Sequence, residues 1–466
     1  MSGVSEGDVA CRAVTDVEDL QRAVADLMPR ARQDLAALVA IPSVYDARQF
    51  DLAHCARAAR WVMEAFLDLG FADVRLERTP DGSDAVVGSL AGPAGAPTVL
   101  LYSHYDVQPP LDDAAWRSPP FELVEREGRW YGRGTADCKG NLVMHLTALR
   151  ALRGTDGTYP VGLKVVMEGS EEQGLGGLER WVEAHPEVLS ADAIVIADGG
   201  NAELGLPTLT TSLRGMVTAI VRVASLTGPQ HSGSYGGAAP DALAALIAML
   251  ASMRDVEGRT TIRGLDDLAD ATWDGVDYPA ERFREDAGVL DGVRLIGGGS
   301  VPDAVWARPA LTVTGIDCPP AVGSPNAIQP RAAARLNLRI PPSTDPARAG
   351  AALTEHLLAV APWGVRVEVE LEGSGTGFLA VTDGPAYAAM REAMHAAFGR
   401  EPVTAGQGGS IPLCNTLRST YPDAEILLIG VEEPRSLIHA PNESVDPGEI
   451  ERTALAEALF LRRLAS

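Results

Sequence analysis

Four short apolar runs, each delivering acidic or histidine residues at its C-terminal end, constrain the fold of this chain more than any other feature. Thr98-Val-Leu-Leu-Tyr102 runs into Ser103-His-Tyr-Asp106, and Leu163-Lys-Val-Val-Met167 into Glu168-Gly-Ser-Glu-Glu172. Ala193-Ile-Val-Ile-Ala197 leads to Asp198-Gly-Gly200, and Glu425-Ile-Leu-Leu-Ile-Gly430 leads towards His439. Continuous apolar strands alternating with helical segments predict a buried, largely parallel sheet. In such sheets the ligand crevice lies beyond the carboxyl ends of the strands, where these polar residues fall. The expected class is α/β.

At 466 residues the chain exceeds what one hydrophobic core usually organises. Helical periodicity covers Val14 to Ala40 and Ala53 to Gly70. The middle reads differently. Arg214-Gly215 opens a β-branched run from Met216 to Ala224, and a Gly- and Ser-rich loop, Gly228 to Ala239, comes next. Pro240-Asp241 starts a helix reaching about Met253. Strand patterns at Leu311 to Ile316, Ala333 to Ile340 and Val365 to Leu371 enclose a helical Pro346 to Val360. The expected plan is a mostly parallel-sheet catalytic domain built from residues 1–212 and 374–466, with an α+β unit, 213–373, inserted into it.

A net charge of -24, from 63 acidic and 39 basic residues, repels polyanions and argues against nucleic acid as a partner. Five scattered cysteines, Cys11, Cys55, Cys138, Cys318 and Cys414, contain no CxxC pair and argue against a disulfide framework. The N-terminal segment has no basic region followed by an apolar core, and no apolar run is long enough to span a bilayer. A soluble, cytoplasmic protein with no membrane partner is expected.

Five residue groups carry chemistry. His104 and Asp106, two apart at a strand end, point to one side. A metal-bound imidazole usually needs such a partner on its other nitrogen, although alone the pair reads more simply as structural. Asp137 sits between glycines in Tyr131-Gly-Arg-Gly-Thr-Ala-Asp-Cys-Lys-Gly140. Its two oxygens could bridge cations held roughly 3.5–4 Å apart, or it could cap the helix that begins near Gly140. Glu171 and Glu172 are adjacent carboxylates that repel unless a cation or proton intervenes. Their side chains diverge, so one can bind a metal while the other acts as general base. Asp198 and His439 complete the set. His145, His356 and His395 fall inside helical patterns and read as packing or surface residues.

Two imidazoles and three carboxylates, with no thiolate cluster, suit zinc, manganese or cobalt. Two divalent ions sharing Asp137 would acidify water and polarise a scissile carbonyl. Glu171 would take the water's proton and later deliver it to the leaving amine.

His104-Tyr-Asp-Val-Gln-Pro109, Gly132-Arg-Gly-Thr-Ala-Asp-Cys-Lys-Gly140, Met167-Glu-Gly-Ser-Glu-Glu172 and His439-Ala-Pro-Asn-Glu443 resemble, in order and spacing, the M20 family of metallopeptidases. Within it the chain is most similar to the cytosolic dipeptidase and carnosinase-type branch. The resemblance implies a hydrolase that cleaves the amide bond of dipeptides. The same core in a deacylase of N-acyl amino acids is the alternative. It implies one metal on His104 and Asp198, the other on Glu172 and His439, with Asp137 bridging, Glu171 as base and Asp106 orienting His104. It makes 213–373 a lid and dimerisation domain. Gly228-Pro-Gln-His-Ser-Gly-Ser-Tyr-Gly-Gly237 resembles the lid segment whose histidine reaches the partner's active site, so His231 would stabilise the oxyanion in trans within a homodimer. Asn326 and Arg339 match substrate-contacting lid positions, and Ser410 lies in a loop resembling the one that holds the substrate carboxylate. Arg339 could equally be a surface strand charge. Many relatives carry Asp-Asp-Lys-Gly where this chain has Asp137-Cys138-Lys139-Gly140, and Cys138 reads as a local packing change rather than an oxidisable thiol.

Overall fold

A computed structural model describes residues 6–153, 157–409 and 411–465, with side-chain surroundings from residue 17 onward. The chain forms two compact units: Met1–Thr211 with Ala380–Ala405 and Leu413–Ser466, and Ser212–Leu379 with Gly406–Pro412.

The first unit is built on a mixed sheet. Seven of its nine described strands are β1 (Arg75–Arg78), β2 (Asp84–Leu90), β3 (Thr98–His104), β4 (Gly162–Glu168), β5 (Ala193–Ala197), β6 (Thr208–Leu213) and β7 (Glu425–Ile429), lying in the order β1-β2-β4-β3-β5-β7-β6, with the short strands Phe378–Leu379 and Val403–Gln407 both paired to β6. The four central strands, β4, β3, β5 and β7, are mutually parallel, and β1, β2 and β6 are antiparallel to their neighbours. The apolar runs are these parallel strands, and β5 is buried along its whole length. That burial explains why they lack alternation: both faces are covered. Helix Lys139–Leu152 is buried almost all round and packs against helices Glu6–Val39 and Pro447–Leu464. Asp446 caps the last of these by accepting from Gly448 N, with Pro447 in its first turn. The α/β architecture is as expected, and no described helix is long and apolar enough to cross a membrane.

The second unit carries a four-stranded antiparallel sheet in the order Ala310–Asp317, Arg331–Ile340, Gly215–Ala224, Arg366–Gly375. Helices Ala242–Ala251 and Pro346–Val360 pack on it around a core that includes Val217, Val221, Leu246, Leu336 and Leu353. Asp241 and Asp345 cap these helices, which gives the acidic residue of the Pro240-Asp241 signal its role. The segment expected as a loop, Gly228 to Ala239, contains two elements. Gln230–His231 pairs with Ala327–Ile328, and a helical turn covers Ser232–Tyr235.

Candidate metal centre

Four parallel strands deliver the candidate residues to one edge of the sheet. His104 is the last residue of β3 and fully buried; Glu171 and Glu172 open a turn just beyond β4; Asp198 follows β5 directly; and His439 lies ten residues beyond β7. Asp198 N donates to Ile429 O at 3.2 Å, which ties the ends of β5 and β7 together. Asp137 comes from the turn before helix Lys139–Leu152.

The five are brought together around Asp137. Its Oδ1 lies 3.1 Å from His104 Nε2, which is itself 3.2 Å from Asp198 Oδ1. Its Oδ2 lies 2.8 Å from His439 Nε2, which is 3.3 Å from Glu172 Oε2. One carboxylate thus presents one oxygen to each of two donor groups. Adjacent ligands on a tetrahedral ion with bonds of roughly 2.0–2.1 Å sit about 3.3 Å apart, so these separations suit a small divalent cation. Glu172 Oε1 is buried without a hydrogen-bond partner among the described residues, an orphan that a cation would satisfy. The residues present therefore fit a metal centre, and the two donor groups are His104, Asp137 and Asp198, with the Cys138 thiol adjacent, and Asp137, Glu172 and His439. Asp137 does not cap the helix: Cys138 occupies that position without a side-chain cap, which leaves both Asp137 oxygens for the centre.

Charge in the centre follows from this crowding. Hydrogen bonding to Asp137 and Glu172 pushes His439 up to about 11. Burial opposes protonation of His104, yet the carboxylates of Asp198, Asp106 and Asp137 hold it well above the ordinary histidine range. Burial, followed by the charge of Asp198, raises Glu171 well above the usual carboxylate range. Protons here stand where cations can, and a metal would displace them.

The surrounding groups orient the candidate ligands. His104 Nδ1 lies 3.1 Å from the carbonyl oxygen of Asp106 and 3.4 Å from its Oδ1. The Asp106 carboxylate also accepts from Glu171 N at 3.2 Å and Glu172 N at 3.1 Å, so one buried residue positions both the imidazole and the acidic turn. Gln108 Nε2 donates to Glu172 Oε2 at 2.7 Å. Leu437, His439 and Asn442 all adopt positive φ, at 54°, 62° and 67°, a conformation costing on the order of 1 kcal/mol for residues with a Cβ. Cys138 Sγ donates to Ala197 O, and burial pushes the thiol up to about 12. It packs as a protonated thiol.

His231, Asn326 and Arg339 belong to the second unit, and Ser410 lies outside the described residues. His231 is exposed, and its Nδ1 accepts from Gly233 N at 3.1 Å and Ser234 N at 3.2 Å. The proton of the neutral ring is therefore on Nε2, which is free to donate. Asn326 is adjacent, since its carbonyl accepts from Ser232 N and Ser232 Oγ. Arg339 is half-buried, and its Nη1 lacks a partner among the described residues. Burial lowers it, and burial with the charge of Arg339 brings Arg214 down to about 10. Arg214 was not among the sequence candidates. Among the described residues its Nε and Nη1 also have no partner, and its Nη2 approaches Gly408. Its signal was present: Arg214 is the lone charge between Thr208 and Val221.

Parallel strands that gather two imidazoles and two further carboxylates around a shared aspartate define a class, α/β proteins with a candidate metal centre at the strand ends. Residues 100–463 match the model of peptidase family M20/M25/M40, and the chain belongs to that family. It is 47% identical over 436 residues to a cysteinylglycine-S-conjugate dipeptidase of Corynebacterium striatum, covering 93% of this chain and 95% of the relative. It is 26% identical to a β-Ala-His dipeptidase of Rattus norvegicus, covering 93% and 88%. The fold matches the crystal structure of human carnosine dipeptidase 1 with a TM-score of 0.78 at 24% identity, covering 96% of this chain and 98% of that one. The chain is a metal-dependent peptidase.

Proposed function

We propose that this chain is a dipeptidase acting on small dipeptides with a free terminal carboxylate, cysteinylglycine-type dipeptides among them. The division of Asp137 between two donor groups carries the reading, and the 47% identity to a dipeptidase supports the substrate class. His104 and Asp198 would hold one divalent ion and Glu172 and His439 the other, zinc or manganese with cobalt as a substitute, and Asp137 would serve both. When bound, such ions supply Lewis acidity towards a carbonyl oxygen and acidify water.

The remaining steps fall to the chain's own groups. Glu171 removes the proton from the attacking water and returns it to the leaving amine nitrogen, a transfer its raised affinity for protons favours. Asp106 keeps His104 and the Glu171-Glu172 turn in register. His231 of the partner subunit, in a homodimer, donates its Nε2 proton to the oxyanion. Arg339, with Asn326 and Ser410, takes the substrate carboxylate. Arg214 joins them, because its unpartnered N–H groups face no competing acid. Segment 213–373 acts as the lid, and the enzyme works in the cytoplasm, where its free cysteines stay reduced.

The test is hydrolysis of a panel of dipeptides, including cysteinylglycine and β-alanylhistidine, against N-acetyl and N-succinyl amino acids, with zinc, manganese and cobalt added back to chelated enzyme. Dipeptides should be cleaved and acyl amino acids should not. Preferential release of the acyl groups, or full activity of metal-free enzyme, would overturn the reading.

A further inference from the structure

The segment His439-Ala-Pro-Asn-Glu443 ends in a carboxylate that the proposed chemistry leaves unused. Glu443 is fully buried, and four donors converge on it. Ala136 N and Asp137 N donate to Oε1 at 2.9 and 3.1 Å. Gly134 N donates to Oε2 at 3.0 Å and Arg133 Nη1 at 2.7 Å. Its own carbonyl accepts from Gly132 N at 3.0 Å. Every turn of the Asp137 loop is thus fastened to one residue about 300 positions later in the chain. Gly134, at φ 88°, bends that loop where an added Cβ would meet Val107 at 2.8 Å. The loop holds its shape by tight packing on one side and by the Glu443 carboxylate on the other. Asn442 fastens the same segment elsewhere, accepting from Arg117 N and donating to Ala115 O.

We propose that Glu443 is a positioning residue that couples the two loops carrying Asp137 and His439, and so sets the separation of these ligands. The inference rests on the metal-centre reading above. Four donors and no acceptor face the carboxylate, so an isosteric amide must turn an NH2 towards N–H groups whichever way it is flipped. In Glu443→Gln the Asp137 N–H or the Gly134 N–H loses its acceptor, and the loop shifts beneath the shared ligand. His439, held at φ 62°, depends on the same anchor. The donor group of Asp137, Glu172 and His439 is disturbed at two of its three members. The group of His104 and Asp198 is disturbed only through Asp137. Outer groups that orient ligands are commonly worth about 10- to 100-fold in metal affinity.

The experiment titrates Zn2+ into chelator-stripped full-length enzyme against a colorimetric competitor, with thermal unfolding followed in parallel. Wild type should bind two equivalents, and its failure to bind any would refute the metal centre itself rather than this inference. Glu443→Gln should bind one equivalent about 10- to 100-fold more weakly, with the other less affected. Because Glu443→Gln strands the buried Arg133 and could fail to fold, Glu443→Asp provides a second reading. It retains the charge beside Arg133 but cannot span both pairs of donors, and its affinity should fall between the two. Glu457→Gln, which disrupts a fully buried contact with His145 at 2.6 Å, controls for stability: it should lower the melting temperature while leaving Zn2+ affinity unchanged. Wild-type affinity in both Glu443 variants, or a loss of stability without a loss of affinity as in Glu457→Gln, would overturn the proposal.

Discussion

Replacing Glu171 by glutamine separates catalysis from structure. The backbone N–H of Glu171, not its carboxylate, fastens the turn to Asp106, and its carbonyl accepts from Gly174 N. Glutamine keeps both of these bonds. The substitution also leaves untouched the two donor groups, neither of which includes Glu171. Stability should therefore not fall: glutamine breaks neither bond and removes a carboxylate whose ionisation burial and Asp198 oppose, so the metal-free variant should be at least as stable as wild type at neutral pH. The rate should respond differently, because an amide cannot accept the proton of water. A positioned general base contributes about 100- to 10,000-fold, or about 2.7–5.4 kcal/mol at about 1.36 kcal/mol per decade. Glu171→Gln should thus retain wild-type metal content by mass spectrometry while its kcat for cysteinylglycine falls by two to four decades. Removing the negative charge of Glu171 relieves repulsion with Asp198 in the metal-free state, so metal affinity should fall only modestly, far less than on loss of a ligand. A variant with near wild-type kcat would refute the role of base. A variant that lost its metal would show instead that Glu171 is a ligand.

Other perturbations probe different parts of the molecule. Asp137→Ala should abolish both equivalents of bound metal and Asp198→Ala or Glu172→Ala one, as read by elemental analysis; full occupancy in Asp137→Ala would contradict its shared position. Arg339→Met and Arg214→Met should each lower kcat/KM for a dipeptide with a free carboxylate by about 10- to 100-fold, following the roughly 1.5–3 kcal/mol of a charged hydrogen bond. The already poor cleavage of the carboxamide analogue should not fall further, and equal losses on both substrates would point to a general structural effect. Burial, then the charge of Asp106, raises the Cys55 thiol from 9.0 to about 12. Above pH 9 the unfolded chain therefore releases a proton that the folded chain keeps, and stability falls as pH rises from 9 towards 12 by about 1.4 kcal/mol per unit. In urea denaturation between pH 8 and 10.5, Cys55→Ala should lose less stability than wild type by that slope, and parallel curves would argue against a buried neutral thiol.

The parallel sheet was legible because its strands are buried on both faces, and such burial leaves uninterrupted apolar runs. Val99 to Tyr102, Val165 to Met167 and Ile194 to Ala197 are all fully buried. The polar residues at the end of each run were legible for the same reason, since a strand that ends at a crevice changes abruptly from apolar to acidic. The segment Gly228 to Ala239 was not legible. Its glycines and serines signal a loop, and its two-residue strand exists only through pairing with Ala327–Ile328, about a hundred residues away. Asp137 illustrates a local rule overridden. Its place before a helix matches a cap, but a cap uses the carboxylate that His104 and His439 face, and the helix start takes Cys138 instead.

The same contrast separates ligands from the groups that aim them. Three of the candidate ligands, His104, Glu172 and Asp198, reveal themselves in sequence because they stand at or just beyond the end of an apolar strand, a position defined by immediate neighbours. Orienting groups have no such local mark. Glu443 acts on Gly134, Ala136 and Asp137 through bonds that only the fold brings together. A glutamate beside a histidine ligand reads as one more acidic residue in a chain of 63. In the fold it is the point at which two ligand loops meet. Sequence thus displayed the candidate ligands that the fold brings together, while the loop carrying Asp137 is held by hydrogen bonds spanning about 300 residues. The centre's chemistry is written locally and its geometry is not, so the centre can exist only after the C-terminal part of the chain has packed beneath the Asp137 loop.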